Sequence, residues 1–381
     1  LIVISQFAGT SLWFAGNAVL PEMQKALGFQ ANAATLTSLV QLGFISGTLL
    51  FALFSIADRF SPSKVFFFSS ILAAAANLSM LRSYDIGAIY ALRFLTGFFL
   101  AGIYPVGMKI AADWYEQGLG KALGYLVGAL VLGSAFPYLL RSGVFTLSWQ
   151  AVLISTSSFA LLGGLLILFF VGDGPFRKTA TRFNVSVIGR IFYAPDFRAA
   201  AVGYFGHMWE LYAFWAFAPA MIARFLNEHQ LTANSFLWSF IIIAMGAVGC
   251  IAGGYFSKIA GSTRVAFYSL LCSGICCIIA LTFSWLPPVL FFFIIIFWGV
   301  TIAADSPQFS ALVTKTAVPE YKGTALTMVT CIGFAISIVS IQLLQYLVGI
   351  LHADNYFVLV ILGLGPLTGL IGMRRLLKKQ I

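Results

Sequence analysis

The sequence predicts an all-α membrane protein with twelve transmembrane helices in two six-helix pseudo-repeats. Three observations carry this expectation. The chain is 60% hydrophobic and 9% charged, with a mean hydropathy of +0.96, whereas soluble domains average about 45–50% apolar and about 25% charged residues. Its apolar residues gather into twelve runs near the roughly 20 residues that a hydrocarbon core of about 30 Å demands of a helix. Segments of the first half also recur, about 200 residues on, in the second.

The spans are expected over 1–20, 34–56, 64–81, 86–112, 120–141, 149–171, 199–224, 232–256, 265–283, 288–310, 323–349 and 354–374. Span 1 opens the chain without methionine and inside an apolar run, so the true amino terminus is expected upstream. A cleaved signal peptide is not expected, because apolar runs continue along the chain. This span carries Gln6, Thr10, Trp13 and Asn17 at spacings of four, three and four, which is one helical stripe. Span 2 adds Gln41, and span 4 adds Arg93 and Tyr104. Span 7 contains GHMWELYAFWAFAP, where His207 and Glu210 share a helix face and Phe214 follows Glu210 one turn on. Span 10 contains AADSPQFS, with Asp305 and Gln308 beside Pro307, whose missing backbone donor invites a kink. The five cysteines, Cys250, Cys272, Cys276, Cys277 and Cys331, lie in apolar runs and read as packing residues, with no disulfide framework, metal site or cofactor implied.

Arg93, His207, Glu210 and Asp305 are the ionisable side chains placed clearly inside spans. A charge at mid-membrane costs at least ~2.5–3.5 kcal/mol, so such groups normally face a cavity or one another. From a rise of about 1.5 Å per residue, Arg93 and Glu210 fall at similar depths and are placed to pair. His207 lies one turn closer to the cytoplasm, and Asp305 lower still.

Loop charge sets the orientation. Alternate loops hold Arg59, Lys64, Lys109, Lys121, five cations from Arg177 to Arg198, Lys258, Arg264, Lys315, Lys322 and four from Arg374 to Lys379. The opposite loops hold Lys25, Arg82, Arg141 and Arg224. The positive-inside rule then puts both termini in the cytoplasm. The net charge of +10 follows from this asymmetry, with anionic headgroups as counter-charges and no nucleic-acid partner required.

The longest loop splits the chain into a six-helix bundle over 1–171, a cytoplasmic linker over 172–198 and a second bundle over 199–381. KVFFFSSILAAA from Lys64 aligns with RVAFYSLLCSGI from Arg264, and GKALGYLV from Gly120 with GTALTMVT from Gly323. Six plus six parallel repeats occur in one large transporter class. FSIADRFSPSK resembles the loop motif of the major facilitator superfamily (MFS) through Asp58, Arg59 and Lys64, with Phe54 and Ser61 in place of its glycines. RFLTGFFLAG resembles the superfamily's Arg-x-x-x-Gly motif through Arg93 and Gly97. GYLVGALVLGSAFP matches part of the antiporter motif at Gly124 and Gly133, but Pro137 lacks the preceding glycine and the closing glycine pair is absent. The second copy of the loop motif has Ser257-Lys258 where the first has Asp-Arg.

The resemblance implies that helices 1, 4, 7 and 10 line a central cavity, and that Asp58, with Arg59 and Lys64, latches the cytoplasmic side by engaging a neighbouring helix start. On that footing the expected function is a secondary active transporter for a small organic solute, working by alternating access and coupled to protons. Glu210, His207, Arg93 and Asp305 are the proton-coupling candidates. Gln6, Thr10, Trp13, Asn17, Tyr104, Phe214, Asp305 and Gln308 are the cavity candidates. An uncoupled facilitator and a multidrug efflux antiporter are the alternatives. Members of the superfamily that carry nitrate or organophosphates have paired cavity arginines, so the resemblance, with Gln41 on helix 2 and no arginine on helices 1 and 7, disfavours inorganic anions and phosphate esters; the absence of nucleotide-binding glycine motifs argues against an enzyme. The expected setting is a plasma membrane, the bacterial inner membrane in a prokaryote, with a monomer surrounded by lipid.

Overall fold

The computed structural model describes all residues except 84, 116–118, 146, 178–182, 184–186, 352–355 and 380–381, so Lys178 and Arg182 of the charge count lie outside the described residues. The described residues hold helices and no strand. The chain divides into two compact units, Leu1–Arg182 and Phe183–Ile381.

The first unit contains α1 (Ile2–Thr10), α2 (Ala15–Leu27), α3 (Ala33–Leu53), α4 (Ile56–Arg59), α5 (Pro62–Ser79), α6 (Ile86–Leu100), α7 (Tyr104–Trp114), α8 (Leu119–Arg141) and α9 (Trp149–Leu166). The second contains α10 (Ile188–Ile191), α11 (Pro195–Glu228), α12 (Ser235–Ala260), α13 (Ser262–Ile279), α14 (Pro288–Ala304), α15 (Ser306–Thr316), α16 (Lys322–Ile350) and α17 (Leu364–Lys378). Helix starts follow side-chain capping. Asn32, Ser61, Asp85, Ser148 and Asn234 each accept a backbone N–H three residues on, satisfying a donor that the first turn leaves unpaired.

Ten helical stretches among the described residues are long and apolar enough to cross a membrane. The other two predicted spans differ for separate reasons. Span 1 is two helices, α1 and α2, parted by a turn over residues 11–14. Span 7 is the continuous α11 of 34 residues, whose mean hydropathy is lowered by His207, Glu210 and its Trp and Tyr side chains. Spans 4 and 10 are also broken, between α6 and α7 and at Asp305 between α14 and α15; Pro105 and Pro307 sit in the first turn of the helix that follows each break.

Glycine sets the closest helix crossings in both units. A Cβ on Gly97 would lie 1.9 Å from the Val40 carbonyl oxygen, and one on Gly47 would lie 2.3 Å from that of Phe98, so α3 and α6 touch backbone to backbone. In the second unit a Cβ on Gly299 would lie 2.3 Å from the Ile242 oxygen, and one on Gly249 would lie 2.1 Å from that of Val300. Each pair is displaced by 202 residues: Gly97 to Gly299, Val40 to Ile242, Gly47 to Gly249 and Phe98 to Val300. Small residues let membrane helices approach where lipid offers no hydrophobic drive to associate. Gly97→Val is expected to destabilise the protein by at least about 1–3 kcal/mol, the cost of overpacking. Gly349→Ala, whose Cβ meets nothing within 4 Å, is expected to melt like the wild type. Thermal unfolding of the purified variants checks both, and a wild-type melt for Gly97→Val would refute the close crossing.

Candidate functional site

In the first unit the buried polar centre grows from the break in span 1. Leaving the α-helix over residues 11–14 deprives the carbonyls of Leu12 and Trp13 of regular helical donors. Ala15 N reaches Leu12 O at only 3.4 Å. The fully buried Arg93 supplies what is missing: Nη2 donates to Trp13 O at 2.5 Å, and both Nη1 and Nη2 donate to Leu12 O at 3.3 Å. Asn77 accepts from Nη1 at 3.4 Å while its own amide nitrogen donates to Leu153 O, Thr156 Oγ1 and Ser157 Oγ of α9. Gly16 leaves room for the side chain, since a Cβ there would lie 3.0 Å from Arg93 Nε.

The second unit holds the acids. Glu210, fully buried on α11, accepts from Trp298 Nε1 at 2.6 Å, Ser273 Oγ at 2.8 Å and Cys277 Sγ at 3.4 Å. Phe214 covers Trp298, with ring centroids 4.6 Å apart. One turn before Glu210, His207 lies with Nδ1 2.8 Å from Asp305 Oδ1 and Nε2 2.8 Å from Ser306 Oγ. The imidazole and the carboxyl group are thus in direct contact, at the residue where α14 gives way to α15.

Within its own unit the Arg93 guanidinium is taken up by the carbonyls of Leu12 and Trp13 and by Asn77, and within the other the Glu210 carboxyl group is supplied with donors by Trp298 and Ser273. Cys277 does more than fill space, because its thiol donates to Glu210.

A family model described as Major Facilitator Superfamily matches residues 2–342. The chain belongs to the major facilitator superfamily. The human organic anion transporter MFSD10 (TETRAN) superposes with a TM-score of 0.74 at 14% identity, covering 98% of both chains. A point mutant of the nucleoside transporter NupG gives 0.74 at 15% identity with the same coverage. The efflux pump FUBT of Fusarium oxysporum is 29% identical over 139 residues, 35% of this chain and 23% of that one. The efflux pump FUB11 of Gibberella fujikuroi is 30% identical over 118 residues, 30% of this chain and 20% of that one. This MFS chain thus spans less than a quarter of the length of those pumps.

The remaining cavity candidates of this MFS chain separate by hydrogen bonding. Asn17 is tied to α3, donating to Thr37 Oγ1 at 2.8 Å and Ala33 O at 3.1 Å. Thr10 returns its hydroxyl to Gln6 O at 2.7 Å. Trp13 packs on Phe44, which in turn faces Tyr104. Gln6 is fully buried, and among the described residues neither its amide oxygen nor its amide nitrogen has a partner. Gln41 on α3 is in the same position. Gln308 is buried on α15.

The loop motif is held on one face of the first unit. Asp58 Oδ1 lies 2.9 Å from Lys109 Nζ. Asp173, from the start of the linker, accepts from Ser63 N and from the hydroxyls of Ser61 and Ser63, and lies 3.2 Å from Arg177 Nη1. Burial raises the Asp173 pKa, but these hydrogen bonds and Arg177 outweigh it and hold the carboxyl below its ordinary range.

Asn77, Ser273, Cys277, Trp298 and Ser306 do not stand out in the sequence because none carries a formal charge. Their only signal is recurrence on one face of a span, as with Ser273 and Cys277 four apart. Arg93→Gln removes the fork that holds Leu12 and Trp13. It is expected to cost about 1.5–3 kcal/mol, the worth of hydrogen bonds to a charged group. Arg93→Lys should recover part of that. A melt of Arg93→Gln indistinguishable from the wild type would show that the turn supports itself.

Proposed function

We propose that the protein is a secondary active transporter that moves a small organic solute by alternating access, with protons as the coupling ion. The observation that carries the reading is the buried set of His207, Glu210 and Asp305 in one unit, with no lysine or arginine among their contacts in the described residues. Carboxylates in that position are costly as anions, and gaining or losing a proton is the available way to change their charge. His207, between Asp305 and Ser306, is the relay on the cytoplasmic side of Glu210. Arg93 acts on this scheme by holding helix 1, without itself exchanging protons.

Solute recognition falls to the unpaired amides of Gln6 and Gln41, the rings of Trp13 and Tyr104, Gln308 and the Asp305 carboxylate. Arg93 is occupied by backbone carbonyls, so the set suits a neutral or cationic solute better than an anion. The efflux-pump relatives favour outward antiport as the second reading. The setting is a plasma membrane, with both termini cytoplasmic.

Glu210→Gln keeps the shape of the side chain and removes its titration. In proteoliposomes, uphill uptake driven by a pH gradient should vanish, while exchange of labelled for unlabelled solute should persist. Full pH-driven accumulation by this variant would rule out the carboxylate as the coupling site, and loss of both activities would point to a packing role. His207→Ala should shift the pH dependence with a smaller effect.

Asp305→Asn is expected to weaken solute binding to purified protein more than tenfold, about 1.4 kcal/mol. Unaltered affinity, measured by calorimetry with the transported solute, would remove Asp305 from the recognition set.

A further inference from the structure

Between α3, α4, α5 and α6 the first unit has a groove of about 520 Å³ that holds none of the solute or proton-coupling candidates. Its mouth carries Arg59 and Lys64, and its walls are Phe51, Phe68, Leu72 and Phe99. Phe60, Phe68 and Leu72 are 62%, 59% and 46% exposed, so the groove opens sideways. From Ser61, the cap of α5, to Leu72 is eleven residues of helix. At about 1.5 Å per residue that is a depth of ~16 Å, close to the ~15 Å of one leaflet of a hydrocarbon core of about 30 Å.

The charges around the mouth do not cancel. Asp58 lies on Lys109, and Asp113 is 4.0 Å from the same ammonium group. Asp173 is held by Arg177 and the two serines. Those acids are engaged, and among the described residues neither the Arg59 guanidinium nor the Lys64 ammonium has an acidic partner within 4.0 Å. An anion with an apolar tail completes such a site, as basic pockets between helices on the cytoplasmic side do with acidic headgroups.

We propose that this groove binds an anionic glycerophospholipid from the cation-rich leaflet, its phosphate against Arg59 and Lys64 and one acyl chain along Phe68, Leu72 and Phe99. The two cations select the headgroup. The aromatic wall holds the chain in a fixed place beside the loop joining helices 2 and 3. The site holds none of the solute or proton groups but shares Arg59 and Lys64 with the loop motif expected to act as the latch, so it is tested by lipid binding itself, a readout that needs no transport.

Native mass spectrometry of the purified, delipidated full chain tests it, with phosphatidylglycerol and phosphatidylcholine of identical acyl chains as probes. The wild type should retain phosphatidylglycerol about tenfold better than phosphatidylcholine. The double variant Arg59→Gln/Lys64→Gln should lose that preference, whereas Lys315→Gln/Lys322→Gln, which removes the same charge elsewhere, should keep it. Arg59→Lys, which retains charge and guards against a folding artefact, should also keep it. Phe68→Ala should weaken retention of both lipids. An unchanged preference in the double variant, or an equal loss in the Lys315/Lys322 control, would overturn the site. Glycerol phosphate competing as well as the whole lipid would overturn the acyl groove and leave a soluble-anion site instead.

Discussion

A backbone carbonyl in hydrocarbon must find a donor, because no water is there to supply one. That constraint governs the first unit. Helix 1 is broken at residues 11–14, and the two carbonyls it releases are met by a guanidinium arriving from helix 4. Arginine suits the task because its planar fork reaches two acceptors at once and remains charged when buried. The rest of the centre follows from placing that fork. Gly16 makes space beside it, Asn77 steadies one nitrogen, and α9 steadies Asn77 through Thr156 and Ser157. A break that would cost little in water becomes, in a membrane, a contact joining helices 1, 3, 4 and 6.

The helical spans could be read from hydropathy because the bilayer imposes length and apolarity together. The break at Asp305 was announced by Pro307, but the break in helix 1 falls in Ser11-Leu12-Trp13-Phe14, which contains neither glycine nor proline. Arg93, His207, Glu210 and Asp305 were visible as charges out of place. Their partners were not. Backbone carbonyls leave no mark in a sequence, and Ser273, Cys277 and Trp298 are unremarkable in an apolar helix until α13 and α14 bring them to Glu210. Depth along a helix fixes one coordinate only, and it carries no information about which side chains of neighbouring helices face a given charge.

The two units show which features of a duplicated fold are free to diverge. The glycine crossings recur at a constant displacement of 202 residues, Gly97 with Gly299 and Gly47 with Gly249. A Cβ at any of these positions would meet backbone within 2.3 Å, and backbone cannot step aside as a side chain can. The polar centres carry no such restriction. In the first unit the centre is a cation satisfied by carbonyls; in the second it is a pair of acids, one supplied with donors by neutral side chains and one facing a histidine. Shared helix packing therefore coexists with a basic centre in one unit and an acidic side-chain set in the other.

The position of the acids gives the proton-coupled reading a mechanical consequence. Glu210 is anchored to α13 and α14, on the side of the helix 10 break that precedes Asp305. His207 contacts Asp305 and Ser306, the residue at the break and the first residue of α15. The His207–Asp305 contact is made at the joint itself, whereas those of Glu210 are made within a continuous stretch of helix. The joint lacks the α-helical continuity that would resist bending, and Pro307 has no N–H with which to restore it. On the proposed reading, Asp305 stands where a change in its contact with His207 bears on the angle between α14 and α15, while Glu210, held by three donors, ties the first of those helices to α11 and α13.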